Sequence, residues 1–206
     1  AGKLEIKFAD GKTISMTHPL QLPNVSYGDG GYMEPTPGQK NTKAYATRVP
    51  TPKFVTKPGF YFGEESKKIS LSCDMDGAVI YYTTDGSTPT EESKLYEEPF
   101  EIKENKAIRA KAYVDGQLAS DVLTGTFILK TPYSESCTGK DLPVVSIVTD
   151  ELFLKDDEIG ICVKGTNGVA GASSCVSGKA NYNRDWSRPA FFEYFEGGEL
   201  KCNQKI

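Results

Sequence analysis

The chain has 206 residues, 38% hydrophobic and 25% charged, a globular balance rather than a disordered one. Its 24 basic residues are scattered among 28 acidic ones for a net charge of -4, with no basic cluster of the kind that displaces counterions from a phosphate backbone, which argues against nucleic acid as a partner. No apolar run approaches the ~20 residues needed to cross a bilayer, so no membrane span is expected.

From the N-terminus, Leu4, Ile6 and Phe8 alternate with Glu5 and Lys7, the pattern of a half-buried strand. Asp10-Gly11 supplies a turn, and residues 13–16 return as a second strand. Two strands do not stand alone in water. This segment is therefore expected to lean on the next domain or to end a domain that begins upstream. His18, the only histidine, lies beside Pro19 in a loop-like stretch. Hydrolytic triads and most zinc sites need histidine beside a nucleophile or further ligands, so His18 reads as an exposed loop residue. Seven of the twelve prolines fall before residue 60, concentrated at 35–37 and 50–52. Such stretches favour extended, semi-rigid chain, so residues 1–52 read as a β segment with a proline-rich linker.

Residues 53–131 carry the strongest β signal. Ile69, Leu71 and Cys73 alternate with Ser70 and Ser72, and a turn at Asp74, Asp76 and Gly77 leads into the β-prone run from Ala78 to Thr83. Asp85-Gly86-Ser87 turns the chain again before Phe100 and Ile102. Ile108, Ala110, Ala112 and Val114 then alternate with Arg109, Lys111 and Tyr113, and Asp115-Gly116 closes a hairpin into a strand expected over 118–128. Short strands separated by turn signals at these intervals predict an all-β fold, an immunoglobulin- or fibronectin-III-like sandwich with flanking β segments at both ends. Its expected core is Ile69, Leu71, Ile80, Tyr82, Ile108, Ala110 and Ala112. No stretch has a sustained helical period.

In this region Pro58-Gly59-Phe60-Tyr61, then GAVIYYTTDGSTPT at 77–90, then Tyr96-Glu97-Glu98-Pro99 resemble the chitobiase/β-hexosaminidase C-terminal domain, a family also described as fibronectin-III-associated. The resemblance implies a sandwich appended to exported bacterial enzymes, with no catalytic residues of its own. Upstream, Asn24-Val25-Ser26-Tyr27-Gly28, Asp29-Gly30-Gly31 and Pro35-Thr36-Pro37-Gly38 are similar to the tail of a lamin-tail domain of bacterial surface proteins. Downstream, residues 142–147, the stretch from Gly160 to Gly165, residues 181–189, Glu193, Phe195 and Asn203-Gln204 look like the start of the spore coat protein H (CotH) kinase family. That implies a β region over 140–206, with the nucleotide- and metal-binding residues of such kinases expected beyond Ile206.

Within the chain, phosphoryl transfer would need a phosphate-cradling loop or lysine and metal-binding carboxylates. The glycine-rich stretch from Gly165 to Gly171 has neither the G-x-x-x-x-G-K-[ST] nor the G-x-G-x-x-G pattern and reads as a flexible surface loop between two strands. Asp156-Asp157-Glu158 reads as a solvated turn. Asp74-x-Asp76-Gly77 has its glycine too early for a calcium loop and lacks the later glutamate. No catalytic, cofactor-binding or metal-binding residue is therefore expected. The five cysteines, Cys73, Cys137, Cys162, Cys175 and Cys202, form no C-x-x-C pair, and an odd count leaves at least one thiol free or paired with another chain. Cys162 and Cys175 bracket a glycine- and serine-rich stretch and are the candidate disulfide, worth roughly 3 kcal/mol for a loop this short. The alternative is that both are small buried residues.

Two functions are expected from different classes. One is a non-catalytic spacer that positions a downstream domain of an exported or cell-surface protein, the two units packing directly. The other is an accessory module that binds cell-surface polysaccharide, with Tyr81 and Tyr113 as the candidate sugar contacts on the sandwich face opposite Ile80 and Tyr82. Trp186, the only tryptophan, sits between Asp185 and Ser187, where a packing role is expected rather than an open platform.

Overall fold

The computed structural model describes residues 2–18, 25–28, 30–36, 38–40, 43–130, 142–166 and 180–206. Its elements are almost all strands, as expected. In the N-terminal segment β1 (Gly2–Lys7) and β2 (Thr13–His18) pair around a turn at Gly11, whose φ is 84°. His18 closes β2 opposite Gly2, so it belongs to a strand and not to a loop. Two short strands follow, β3 (Ser26–Gly28) and β4 (Gly31–Met33).

The end of the proline-rich stretch lies against the sandwich. Val49 and Pro52 are buried, and Arg48 bridges to Leu118 and pairs with Asp121 at 2.6 Å. The residues read as linker are thus packed along the sandwich. One layer contains β5 (Lys53–Phe54), β7 (Lys67–Ile69), β8 (Leu71–Ser72) and β11 (Phe100–Ile102). Strands β7 and β8 are two halves of one run, interrupted at Ser70. There the Ser70 amide donates to Thr56 Oγ1 and its carbonyl accepts from the Val55 amide. On either side of this break β8 pairs with β5 and β7 with β11.

The facing layer contains β9 (Val79–Thr83), β10 (Lys94–Leu95), β12 (Lys106–Tyr113) and β13 (Leu123–Ile128), in the order β10-β9-β12-β13. Three strands against four, with chain-distant neighbours in each layer, is the arrangement of an immunoglobulin-like sandwich. The predicted hairpin after Asp115-Gly116 returns late. Leu118 bonds to Thr47 and Val49 of the incoming chain, and the strand starts only at Leu123.

All seven residues expected in the core are buried. Ala110 and Ala112 leave room for the larger Tyr82, Phe54 and Phe100 around them, and the Tyr82 and Phe100 rings stack at 4.1 Å. A second cluster gathers Ile69, Ile102, Ile108, Phe127 and Leu129. Phe127 meets the Phe54 edge at 5.3 Å, and Gly125 faces the same ring so closely that a Cβ there would lie 2.4 Å from Phe54 Cε2. Each large apolar side chain fully buried in this way contributes about 1.5–3 kcal/mol.

The layer containing β12 continues past β13. Strand β6 (Gly59–Phe60) pairs in parallel with β13 and antiparallel with β16 (Glu199–Lys205). Beyond β16 come β15 (Phe191–Glu196) and then β14 (Val144–Val148), so eight strands form one sheet among the described residues. Gly197 and Gly198, both at positive φ, make the two-residue turn between β15 and β16. That turn docks on β6, where the Phe60 amide donates to the Gly198 carbonyl at 3.1 Å and the Phe60 and Phe195 rings stack at 5.5 Å. The single α-helix among the described residues is the one-turn α1 (Leu152–Lys155) between β14 and β15, and a 3-10 turn follows at Asn181–Asn183. None of the described helices is long and apolar enough to cross a membrane.

Candidate functional site

Strand alternation gives the β9–β12 pair an outer face carrying Val79, Tyr81 and Thr83 beside Tyr113, Lys111 and Arg109. Neighbouring elements divide this face into an open end and a covered end.

At the open end, Tyr81 and Tyr113 lie diagonally across the two strands with ring centroids 5.7 Å apart and planes at 83°. The structure thus brings the two candidate sugar contacts together, although as an edge-to-face pair rather than one flat platform. Tyr113 Oη donates to the Pro89 carbonyl at 3.2 Å. Burial pushes the Tyr113 phenol pKa up, helped by the nearby charges of Glu91 and Glu34. Lys111 sits over the Tyr113 ring at 5.4 Å and lies 3.9 Å from Glu34. Tyr45 from the N-terminal segment forms a further wall, and the resulting groove has a volume of about 810 Å³. It offers apolar ring faces beside charged and amide groups, a combination able to hold a polar ring-shaped ligand.

The covered end holds polar groups where alternation alone would leave them in water. Arg109 is 7% exposed, and Thr124 and Thr126 of β13 are also buried. The covering comes from the C-terminal strands, since the long sheet curls back over its own outer face. Glu193, in the middle of β15, is fully buried. Its carboxylate accepts from the Thr126 amide at 3.2 Å, from Thr126 Oγ1 at 2.5 Å and from Asn203 Nδ2 at 3.3 Å. Desolvation raises the Glu193 pKa, and these three donors offset part of that rise. Ser146 of β14 bonds Thr126 at 2.8 Å, and Asn203 also donates to the Thr124 carbonyl at 2.8 Å. Nearby, Asp150 accepts from the Thr88 amide at 2.9 Å, tying the segment after β14 to the turn after β9. Burial lowers the Arg109 pKa, with the Asp150 charge acting in the opposite sense.

The remaining sequence candidates lie apart from this face. Cys162 is exposed, while Cys175, its expected partner, lies outside the described residues. Most of the glycine-rich stretch also lies outside them. Gly165 at its start adopts φ 70°, and a Cβ there would lie 2.3 Å from Asn181 Nδ2, so glycine is needed beside that buried amide. The run Asp156-Asp157-Glu158 forms a turn in which Asp156 Oδ1 accepts from the Glu158 and Ile159 amides, lowering the Asp156 pKa. Asp74 is bonded to Lys53. The half-buried Trp186 is flanked by the guanidinium groups of Arg184 and Arg188 at 4.8 and 4.7 Å from its ring centroid.

Sequence reasoning did not foresee the burial of Arg109 and Glu193. Arg109 was placed on the outer face, correctly, but nothing local announces that another part of the chain covers it. Glu193 left a signal in Phe191-Phe192-Glu193-Tyr194-Phe195, where a lone charge interrupts an aromatic run.

The fold is therefore an all-β sandwich whose larger sheet extends into four further strands, β6, β16, β15 and β14. Residues 69–127, from the end of β7 to near the end of β13, match the model of the family described as Fn3 associated, so this part of the sandwich is similar to a fibronectin-III-associated domain. No curated protein matches the chain significantly.

Proposed function

We propose that the chain is a non-catalytic spacer module of a larger exported or cell-surface bacterial protein, holding neighbouring domains at a fixed separation. The observation that carries this reading is the continuity of the eight-stranded sheet. From β10 to β14 the backbone ladder runs out of the sandwich into the C-terminal strands. The bonds of Glu193, Asn203 and Asp150 fasten the two regions a second time, through side chains. Such a double attachment resists hinge motion, whereas domains joined by a small polar interface move relative to one another. The resemblance of residues 140–206 to the start of the spore coat protein H kinase family supports a kinase-like domain as the neighbour. The division into 1–52, 53–131 and 140–206 belongs to the same reading, as does an extracytoplasmic location.

The Tyr81–Tyr113 groove favours a second reading, in which the module binds a polysaccharide. The two are separated by a glycan array followed by titration with chitin, peptidoglycan and plant-polysaccharide fragments, using wild type, Tyr81→Ala and Tyr113→Ala. The spacer reading expects no saturable binding. Binding that is lost in either variant without unfolding would replace it with the polysaccharide reading. Calorimetry with ATP and Mg²⁺ is expected to give no saturable heat, and micromolar nucleotide affinity would overturn the non-catalytic assignment.

A further inference from the structure

Arg109 presents a charge-balance problem. A guanidinium carries five N–H donors and keeps its charge at any physiological pH. Nη1 makes both of its hydrogen bonds, to the Gly86 carbonyl at 2.9 Å and to Thr88 Oγ1 at 3.2 Å. Nε is buried with no acceptor. Asp150 is the carboxylate whose charge acts on Arg109, but its two oxygens accept from the Thr88 and Leu152 amides, and it forms no ion pair with the guanidinium. Asp121, close by, is bonded to Arg48. A buried charge normally has a partner of opposite sign, because leaving it unpaired forfeits the Coulombic return on its desolvation.

The structure also provides room for such a partner. Arg109 lines a cavity of about 330 Å³ between the sandwich and the C-terminal strands, near the lower limit for a small-molecule site of about 300 Å³. Phe153, Pro189 and Phe191 supply apolar walls, and the Phe191 ring centroid lies 5.4 Å from Arg109 Cζ. Lys205, cross-strand neighbour of Phe191, is exposed and brings a second positive charge to the same cavity. Asp121 lines the cavity as well, but its carboxylate is paired with Arg48 at 2.6 Å; the cation set deep, the cation near solvent and the aromatic walls between them then match a ligand with one anionic group on a ring or short apolar body.

We infer that this cavity binds a small organic carboxylate, its charge facing Arg109 and its body lying against Phe191 and Pro189. A carboxylate fits better than a halide because the planar guanidinium fork complements two coplanar oxygens. It fits better than a phosphate because the Asp121 carboxylate on the cavity wall disfavours a second negative charge, and the walls of Phe153, Pro189 and Phe191 offer no donors to the further oxygens of a phosphate. The site is separate from the Tyr81–Tyr113 groove and makes no use of its residues.

The test is a thermal-unfolding titration of the whole chain with acetate, benzoate, glucuronate and inorganic phosphate against chloride at matched ionic strength. Amide NMR spectra are recorded in parallel. Benzoate or glucuronate is expected to raise the unfolding temperature saturably and to shift the Thr88 and Phe191 amide signals. Lys205→Glu, a surface change, is expected to weaken that protection about tenfold by placing a like charge beside the ligand. Arg109→Gln should abolish it. If Arg109→Gln does not fold, the Lys205→Glu titration and the wild-type amide shifts decide. The inference fails if no carboxylate protects beyond chloride, or if protection is unchanged in both variants. Stronger protection by phosphate would overturn the assignment to a carboxylate.

Discussion

Glu193 is a carboxylate held in the interior by neutral donors alone, two from Thr126 and one from Asn203. Burial raises its pKa above the unfolded value. Its stabilising contribution is therefore fully present below the ordinary glutamate value of about 4.3 and is lost as pH rises through the folded value. Glu193→Gln keeps an acceptor for the Thr126 amide and removes the titration. The variant is expected to be at least as stable as wild type at neutral pH, and to show a flatter fall in unfolding temperature from mildly acidic to neutral pH. Melting curves across that range check it, and an unchanged slope would mean that Glu193 does not titrate there. At this scale the sequence was most readable where one strand face meets the core. Ile80, Tyr82, Ile108, Ala110 and Ala112 all point inward as their alternation indicated. It was least readable on the opposite face, because alternation separates two faces without saying whether the outer one meets water. Arg109 and Lys111 occupy equivalent positions in the pattern, yet only Arg109 lies under the C-terminal strands.

Among the elements, the β15–β16 hairpin depends on its turn. Gly197 and Gly198 have φ of 61° and 82°, a region that side chains with a Cβ enter at a cost. A Cβ on Gly198 would meet the Phe60 ring only at ordinary van der Waals distance, 3.5 Å, so the penalty there is conformational rather than steric. Gly198→Ala is expected to destabilise the protein by about 1 kcal/mol, measured as a lower denaturant midpoint with the slope unchanged. The N-terminal hairpin is the converse case. Its pairing and its turn at Asp10-Gly11 were legible, because Leu4, Ile6, Phe8 and Ile14 alternate cleanly and share one face. What that face packs against was not legible: those four side chains remain between 44% and 51% exposed, so the hairpin is only partly covered. The late start of β13 was hidden for a different reason. Leu118 satisfies its backbone through Thr47 and Val49, some 70 residues away in sequence, and no local pattern encodes such a partner.

For the molecule as a whole, the eight-stranded sheet predicts how it unfolds. The sandwich and the C-terminal strands share backbone bonds through β6, a stacked Phe60–Phe195 pair and the buried bonds of Glu193. Peeling β14–β16 away would expose Thr124, Thr126 and Arg109 and leave Glu193 without its Thr126 donors, so partial opening forfeits several stabilising contacts at once. Unfolding is expected to be one cooperative step, tested by two probes that see different regions. Fluorescence of Trp186 reports the segment leading into β15, while far-UV circular dichroism reports the strands as a whole, most of which lie before residue 131. Their thermal transitions should coincide in the wild type. Phe195→Ala removes a fully buried ring from the junction, a change that costs about 3–5 kcal/mol in a packed core. With the junction weakened and the sandwich core untouched, the fluorescence transition should move below the circular-dichroism transition. Wild-type transitions that already separate would show two loosely joined units, and the rigid-spacer reading would then lose its physical basis.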